Sequence, residues 1–470
     1  LTQSGPVSVA GTTTLAAGAA NNITLNNAGN DFSTVGITSG HNVALTDVNA
    51  LNLGVSTVNG TLNVTAGGPL TQSGALNIAG ITTLAAGSND ITLINGANNF
   101  STVGVVSGNN VALANANALD LAASTVSGNF NVTTGGPLTQ SGAVTAAGTT
   151  TLAAGANDIT LTNGGNNFNA VAVSSGNNVS LTSANAMTLN AANVSGNLSI
   201  NAGDLTIGGG VASSGGSINV AATNQLTQLG NLTVNGANTV AVSAAGGPIT
   251  MAAGATTSSG TGAINYTAGT DVTLGSLTTG GGVSVIANGG SVFSAVGSGT
   301  NITAGANSTL QAFNGVVGTQ AAPMTVNVNP GTLSIRATTA MAGISAFLTG
   351  TVLPSNSLLL LNVPPGAVCF NGCPVPPPNL FGGISALIPS FNRESVIPSY
   401  SPESSAAPLI SVVSTYLPET VVAETDVDVE SDNQSVAREI PPCFPASACK
   451  PGATLLTAPA DQSAAEAIAR

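Results

Sequence analysis

The sequence predicts an all-β chain, a β-solenoid of about 20 residues per coil followed by a Pro-rich, Cys-bearing tail. Three observations carry that prediction. Near copies of one segment open with Leu-Thr-Gln-Ser-Gly at Leu1, Leu70 and Leu138 and run on to Gly203, with a period of about 68 residues set by Phe32, Phe100 and Phe168. Inside each copy a finer period of about 20 residues recurs: Leu25 to Leu45 to Val64, Leu93 to Leu113 to Val132, and Leu161 to Leu181 to Ile200. Only 5% of residues are charged and 3% aromatic, and no helical run of Leu, Glu, Lys and Arg appears before the last few residues. A fixed period means that each copy buries its apolar face only against its neighbours.

Taken in order, the strand candidates alternate as half-buried strands do. Asn110-Val-Ala-Leu113 and Asn131-Val-Thr133 place apolar side chains inward and polar ones outward, and Gly and Asn fill the bends between. The return leg from Val64 to Leu93 is longer than the other intervals, holds the Leu-Thr-Gln-Ser-Gly word and is expected as a longer turn or an outward loop. Stacked at the usual strand spacing, three units predict about nine turns over about 40 Å. After Asp204 the strict copy is lost, but Leu226-Thr-Gln228, Asn231-Leu-Thr-Val234, Asp271-Val-Thr-Leu274 and Thr325-Val-Asn-Val328 keep the style to about Gly343. The predicted organisation is three repeat units over 1–204, a degenerate continuation over 205–345, and a tail over 346–470. From Leu353 onward lie 17 of the 23 prolines and 11 of the 18 acidic residues. Pro364-Pro365 and Pro376-Pro377-Pro378 read as extended segments that cannot join a central ladder. Val421 to Glu430 reads as an edge strand kept soluble by carboxylates, and only Pro459 to Arg470 looks helical.

The formal net charge is -13, and Arg336 is the one cationic side chain before Arg393. A phosphate backbone would find almost no cation to displace its counterions, so nucleic acid is not an expected partner, nor is anionic lipid through a basic patch. The longest apolar run, Leu358 to Val363, is far too short to span a bilayer. The expected body is soluble or surface-displayed. All four cysteines fall in the last quarter, as Cys369 with Cys373 and Cys443 with Cys449. Two disulfide loops in an oxidising compartment are expected, with three connectivities open and a zinc site as the rival. The start at Leu1, without Met or a signal peptide, suggests a processed product or a piece of something longer.

The repeats provide an internal control on every candidate catalytic residue. His41, the single histidine, matches Asn109 and Asn177 and reads as a bend residue. The body carries seven acids, Asp31, Asp47, Asp90, Asp120, Asp158, Asp204 and Asp271. Asp47 aligns with Asn115 and Ser183, and Asp120 with Asn52 and Thr188, as interchangeable turn and surface positions would. Asp90 and Asp158 recur in Asn-Asp-Ile-Thr-Leu, where the first copy has Asn22, and an Asx-turn explains them more simply than Ca2+. Gly208-Gly-Gly210 and Gly280-Gly-Gly282 lack the Lys-Ser/Thr of a phosphate loop and read as bends. Sequons such as Asn63-Val-Thr65 are expected by chance in this composition. No catalytic residue, cofactor or metal is expected.

Phrases such as Asn30-Asp-Phe-Ser-Thr-Val35, Gly40-His-Asn-Val-Ala-Leu45, Thr57-Val-Asn-Gly-Thr-Leu-Asn-Val64 and Leu138-Thr-Gln-Ser-Gly142 resemble the repeats of filamentous haemagglutinin-like exoproteins over about residues 1 to 345. The resemblance implies a right-handed parallel β-helix, secreted by a Gram-negative bacterium through an outer-membrane transporter and displayed at the cell surface for adhesion, aggregation or biofilm. The family's amino-terminal secretion domain with its Asn-Pro-Asn signatures is missing from this sequence. The Cys-bearing tail is similar in kind to the cysteine pairs of some high-molecular-weight adhesins, which implies a surface-retention role for Cys443 and Cys449. The sequence is therefore read as a non-enzymatic extracellular fibre or adhesin. Its expected partners are further copies of itself, joined head to tail or through the tail, and glycans or proteins of host or neighbouring cells. The alternatives are a β-helical polysaccharide lyase or hydrolase and an amyloid-like matrix protein.

Overall fold

The computed structural model describes residues 1–338, 345–352, 358–361 and 368–371. These residues form 41 strands, all joined in parallel pairings, and no helix occurs among them. The architecture is a parallel β-solenoid of about 17 turns with about 20 residues per turn. At the usual strand separation that is a rod of about 80 Å. Each regular coil carries three short strands, as in Leu198–Ala202, Leu205–Ile207 and Val211–Ser213, which pair with Ile218–Ala222, Leu226–Gln228 and Leu232–Val234 of the next coil. A typical strand is Ile-Thr-Leu at Ile91–Leu93, with two buried side chains flanking one that faces solvent. That alternation is why so polar a sequence can fill a continuous core of Ile, Leu, Val and Phe from Leu15 to Phe370. The Thr-Thr-Leu-Ala-Ala-Gly blocks end where the chain turns: Gly18, Gly87 and Gly155 have φ of 85°, 60° and 59°, a region that only glycine enters freely.

The expected longer leg is not a loop. Val64 pairs with Leu84 in an ordinary coil, and the short remainder to Leu93 carries the chain round to the neighbouring strand column. Equivalent residues of successive units therefore do not stack. Ile23 heads the column Val43, Leu62, Thr82, whereas its counterpart Ile91 continues the column of Leu51 and Leu70. Ile159 in turn continues Leu119 and Leu138, while the column of Ile91 runs on through Val111, Phe130 and Thr150. Each repeat unit makes three coils plus one further strand. Three units thus give ten coils where three per unit would give nine.

The change of column is made on the long strands Asp31–Ser39, Asn99–Ser107 and Asn167–Gly176, each of which supports two strand segments of the coil above. Thr34 and Val35 pair with Asn52 and Leu53, and after a register shift Ile37 pairs with Ser56. In the third unit Ala170 and Val171 pair with Thr188 and Leu189, then Ala172 and Val173 with Ala191 and Ala192. Such a bulge adds a residue to one strand and bends it. Phe32, Phe100 and Phe168, all buried, sit at the start of these strands. Above each of them runs a turn instead of a strand, so the phenylalanine N–H has no carbonyl partner there. A side chain replaces it: Phe32 N–H donates to Asp47 at 2.6 Å, Phe100 N–H to Asn115 at 2.7 Å, and Phe168 N–H to the Ser183 hydroxyl at 3.2 Å. Asp47 is accordingly buried, 2% exposed, and not the surface residue that alignment with Asn115 and Ser183 suggested.

Past Asp204 the solenoid continues without the column shift, with pairings through Ile218, Val240, Ile264 and Val283. Parallel pairing extends into the expected tail, where Ala346 to Leu348 pair with Val368 to Phe370. The expected strand at Val421–Glu430, the helix over 459–470 and the Pro-rich segments at Pro364-Pro365 and Pro376–Pro378 lie outside the described residues.

The buried hydroxyls of Thr82 and Thr150 make no hydrogen bond. Thr82 stacks between Leu62 and Val103, and Thr150 between Phe130 and Val171, so valine suits both columns. Replacing Thr82→Val removes an unpaired polar atom at nearly constant shape and is expected to stabilise the chain by about 1 kcal/mol. A raised thermal midpoint in calorimetry checks this, and a lowered one refutes it.

Candidate functional site

The Leu-Thr-Gln-Ser-Gly word recurs because its half-buried glutamine pairs its amide with a buried asparagine of the next coil. Gln72 Nε2 donates to Asn98 Oδ1 at 2.8 Å while Asn98 Nδ2 donates back to Gln72 Oε1 at 2.9 Å. Gln72 Nε2 also donates to Gly74 O, and its Oε1 accepts Asn95 N–H. Asn98 is fully buried, takes Leu76 N–H on Oδ1 and gives its other amide hydrogen to Leu93 O. Both side-chain amides are thereby satisfied, as a buried polar group requires. The pair repeats as Gln3 with Asn30 and Gln140 with Asn166. At Gln228 the asparagine is replaced: the glutamine bonds Thr257 and Tyr266, whose hydroxyls lie 2.6 Å apart. Tyr266 is fully buried, and burial pushes its hydroxyl well above the ordinary phenol range. The alternation pattern carries no signal for these amide contacts, which join positions more than one coil apart in sequence.

At another corner, side-chain oxygens run as a ladder. Asp90 accepts Asn110 N–H, Asn110 accepts Asn129 N–H, and Asn129 accepts Thr149 N–H, at 3.0, 3.1 and 2.9 Å. Asp158, Asn178, Asn197 and Ser217 repeat the run in the third unit. Asp90 also accepts from the side chains of Asn109 and Asn110. The carboxyls of Asp90 and Asp158 are held below the ordinary aspartate value, first by the backbone N–H of Asn110 and of Asn178 respectively. In the first unit Asn22 plays the same part toward Asn42.

The other acids are similarly engaged. Asp31 accepts from Asn49, Asp120 from Thr139 and Ser141, Asp204 from Gln225 N–H, and Asp271 from Ser291 N–H. His41 is exposed at the bend before Val43, its N–H donating to Asn21 O as those of Asn109 and Asn177 do to Asn89 and Asn157. Among the described residues no three His, Cys, Asp or Glu side chains gather where a metal ion would sit. Cys369 is disulfide-bonded and packs against Phe347 at the last described coil. Cys373, Cys443 and Cys449 lie outside the described residues. An open groove of about 420 Å³ crosses successive coils past Gly155, Ser174, Asn193, Ser214 and Asn235. Its lining of Gly, Ala, Val, Ser, Thr and Asn offers hydrogen bonds but no carboxylate, imidazole or aromatic ring.

Residues 1–39, 40–107, 108–175 and 176–227 match, in four successive copies, a family described as repeats of unknown function (DUF5649). The repeats form a β-solenoid. The two complete copies, 40–107 and 108–175, share the period of the phenylalanines and end at Ser107 and Ser175, on the strands where the column changes. No curated protein and no solved structure matches the chain.

Two outcomes are expected from these geometries. Gln72→Leu takes two hydrogen-bond partners from the buried Asn98 amide and is expected to cost about 2–3 kcal/mol, read as earlier urea unfolding. Asp90→Asn with Asp158→Asn keeps the acceptor oxygen, as Asn22 does, so stability near pH 7 should be nearly unchanged. A folded-state pKa below the unfolded one gives stabilisation that is complete above the unfolded value and lost as pH falls through the folded one. The parent chain should therefore lose thermal midpoint faster than the double variant below about pH 4, where unfolded aspartate titrates. Parallel pH profiles would refute the assignment.

Proposed function

We propose that this chain is a non-enzymatic structural rod, exported to a bacterial cell surface, that self-associates into fibres and serves attachment. The observation that carries the reading is the unbroken parallel ladder from the first coil to Phe370, on which each repeat unit is set one strand column round from the last. A rod built this way spends its polar side chains on its own coils: all seven aspartates of the body accept hydrogen bonds from neighbouring residues or coils. The resemblance of residues 1 to 345 to filamentous haemagglutinin-like exoproteins supports export and display, and the disulfide at Cys369 suits an oxidising compartment.

Electron microscopy of the purified full chain tests the reading. Rods of solenoid width, joined into filaments as concentration rises, are the expected result. Compact particles, or turnover of any polysaccharide in a substrate panel, would overturn it.

A further inference from the structure

The groove past Ser174, Asn193, Ser214 and Asn235 is floored by smaller side chains than the same column carries in the other two units. Ser174 lies on the bulge between Val173, which pairs with Ala192, and Gly176, which pairs with Val194. Asn193 then pairs with Ala212, and Ala212 with Thr233. One unit earlier the corresponding run is Val106, Thr125 and Thr145, with Val106 62% exposed. In the first unit it is Thr38, Thr57 and Asn77. Serine in place of Val106 and alanine in place of Thr145 take branched side chains out of the column. The space they leave belongs to a groove of about 420 Å³, within the size range of ligand sites.

Three properties decide what fits this groove. Its polar groups are unspent: the side chains of Ser174, Asn193, Ser214 and Asn235 are exposed, make no hydrogen bond within the chain, and come one from each of four successive coils. The strand spacing of about 4.8 Å is close to the length that one sugar adds to an extended β-1,4-linked chain, so the five coils from Ala156 to Asn235 match about five sugars. Between the polar groups lie the methyl groups of Ala156, Val194 and Ala212, which suit the C–H faces of a sugar ring. The lining holds no ionisable side chain, and the body around it carries seven aspartates against one arginine, so its field disfavours an anionic chain. A peptide strand has no entry here, because the backbone along this flank is already paired coil to coil and offers no edge for strand addition.

We propose that the groove binds a neutral, extended β-1,4-linked polysaccharide along the rod axis, about one sugar per coil, without turning it over. Ser174, Asn193, Ser214 and Asn235 exchange hydrogen bonds with the sugar hydroxyls, and the methyl floor takes the C–H faces. With no aromatic ring to stack a sugar and with water open to one side, a single groove holds its ligand weakly. A fibre that presents one groove per molecule gains its hold through many sites on one polymer. The inference deepens the attachment reading and rests on it.

The test is saturation-transfer NMR of cellohexaose with the full chain. Saturable transfer to cellohexaose is expected, with none to the curved, α-linked maltohexaose or to a galacturonic acid hexamer. Ser174→Val with Ala212→Thr fills the groove with the side chains that the preceding unit already carries at Val106 and Thr145, so the thermal midpoint should be kept. Asn193→Ala with Asn235→Ala removes only solvent-facing amides. Each double variant should weaken cellohexaose binding by about tenfold. Absence of transfer to cellohexaose, equal transfer to maltohexaose, or parent-like binding by either folded double variant would overturn the groove assignment. Electron microscopy of the same samples separates the two readings, since filaments without cellohexaose binding would remove the groove while leaving the fibre reading intact.

Discussion

Every coil of this molecule depends on the next for its backbone hydrogen bonds, and that dependence governs the rest of the structure. In a parallel ladder an N–H finds its carbonyl one coil away, never within its own strand. Wherever the path bends or a column ends, a donor or acceptor is stranded, and burying it unpaired would cost more than most single contacts return. The polar side chains answer that demand. Gln72 and Asn98 close one corner, the Asp90–Asn110–Asn129 run closes another, and Asp47, Asn115 and Ser183 stand in for a missing carbonyl above a buried phenylalanine. Because the need is for an oxygen and not for a charge, aspartate, asparagine and serine replace one another at equivalent positions.

The sequence period and the coil period are different quantities. The repeat is not a whole number of coils, so it cannot close on itself, and the mismatch is absorbed on the long strands that carry Phe32, Phe100 and Phe168 near their start. There one strand carries two, a register shift re-aims the chain, and the next unit starts one column round. The three copies of any surface feature are therefore distributed about the rod and do not line one side of it.

The solenoid and its coil length were legible in the sequence, since the near-constant steps from Leu25 to Leu45 to Val64 are the ladder pairings of neighbouring coils. What periodicity does not report is which column a residue joins. The stretch from Val64 to Leu93 looks like an irregular leg when spacing alone is read, and becomes a coil plus one strand once Val64 is seen to pair with Leu84. Burial of Asp47 was illegible for a related reason: its alignment with Asn115 and Ser183 marks a tolerant position, and tolerance usually means surface. Here it means that any side-chain oxygen will do. The Gln72–Asn98 pair was hidden because neither residue interrupts the apolar alternation that marks strands.

Beyond Asp204 the coils vary more in length and the column shift stops, which changes what the exterior displays. Without the shift, an outward position stays in its column. Thr188, Thr206, Thr227, Thr250 and Thr273 pair in succession, each with the next. β-Branched threonine fits such a row, because its methyl and hydroxyl pack along the pleated surface without a large loss of rotamer freedom. The Gln228–Thr257–Tyr266 cluster lies in this stretch, occupying with one large aromatic the corner that an asparagine fills in the repeats. Two surfaces thus arise from one backbone plan: a rotating display where the repeat is kept, and aligned rows where it is lost. The difference follows from register, since the pairing direction is parallel in both.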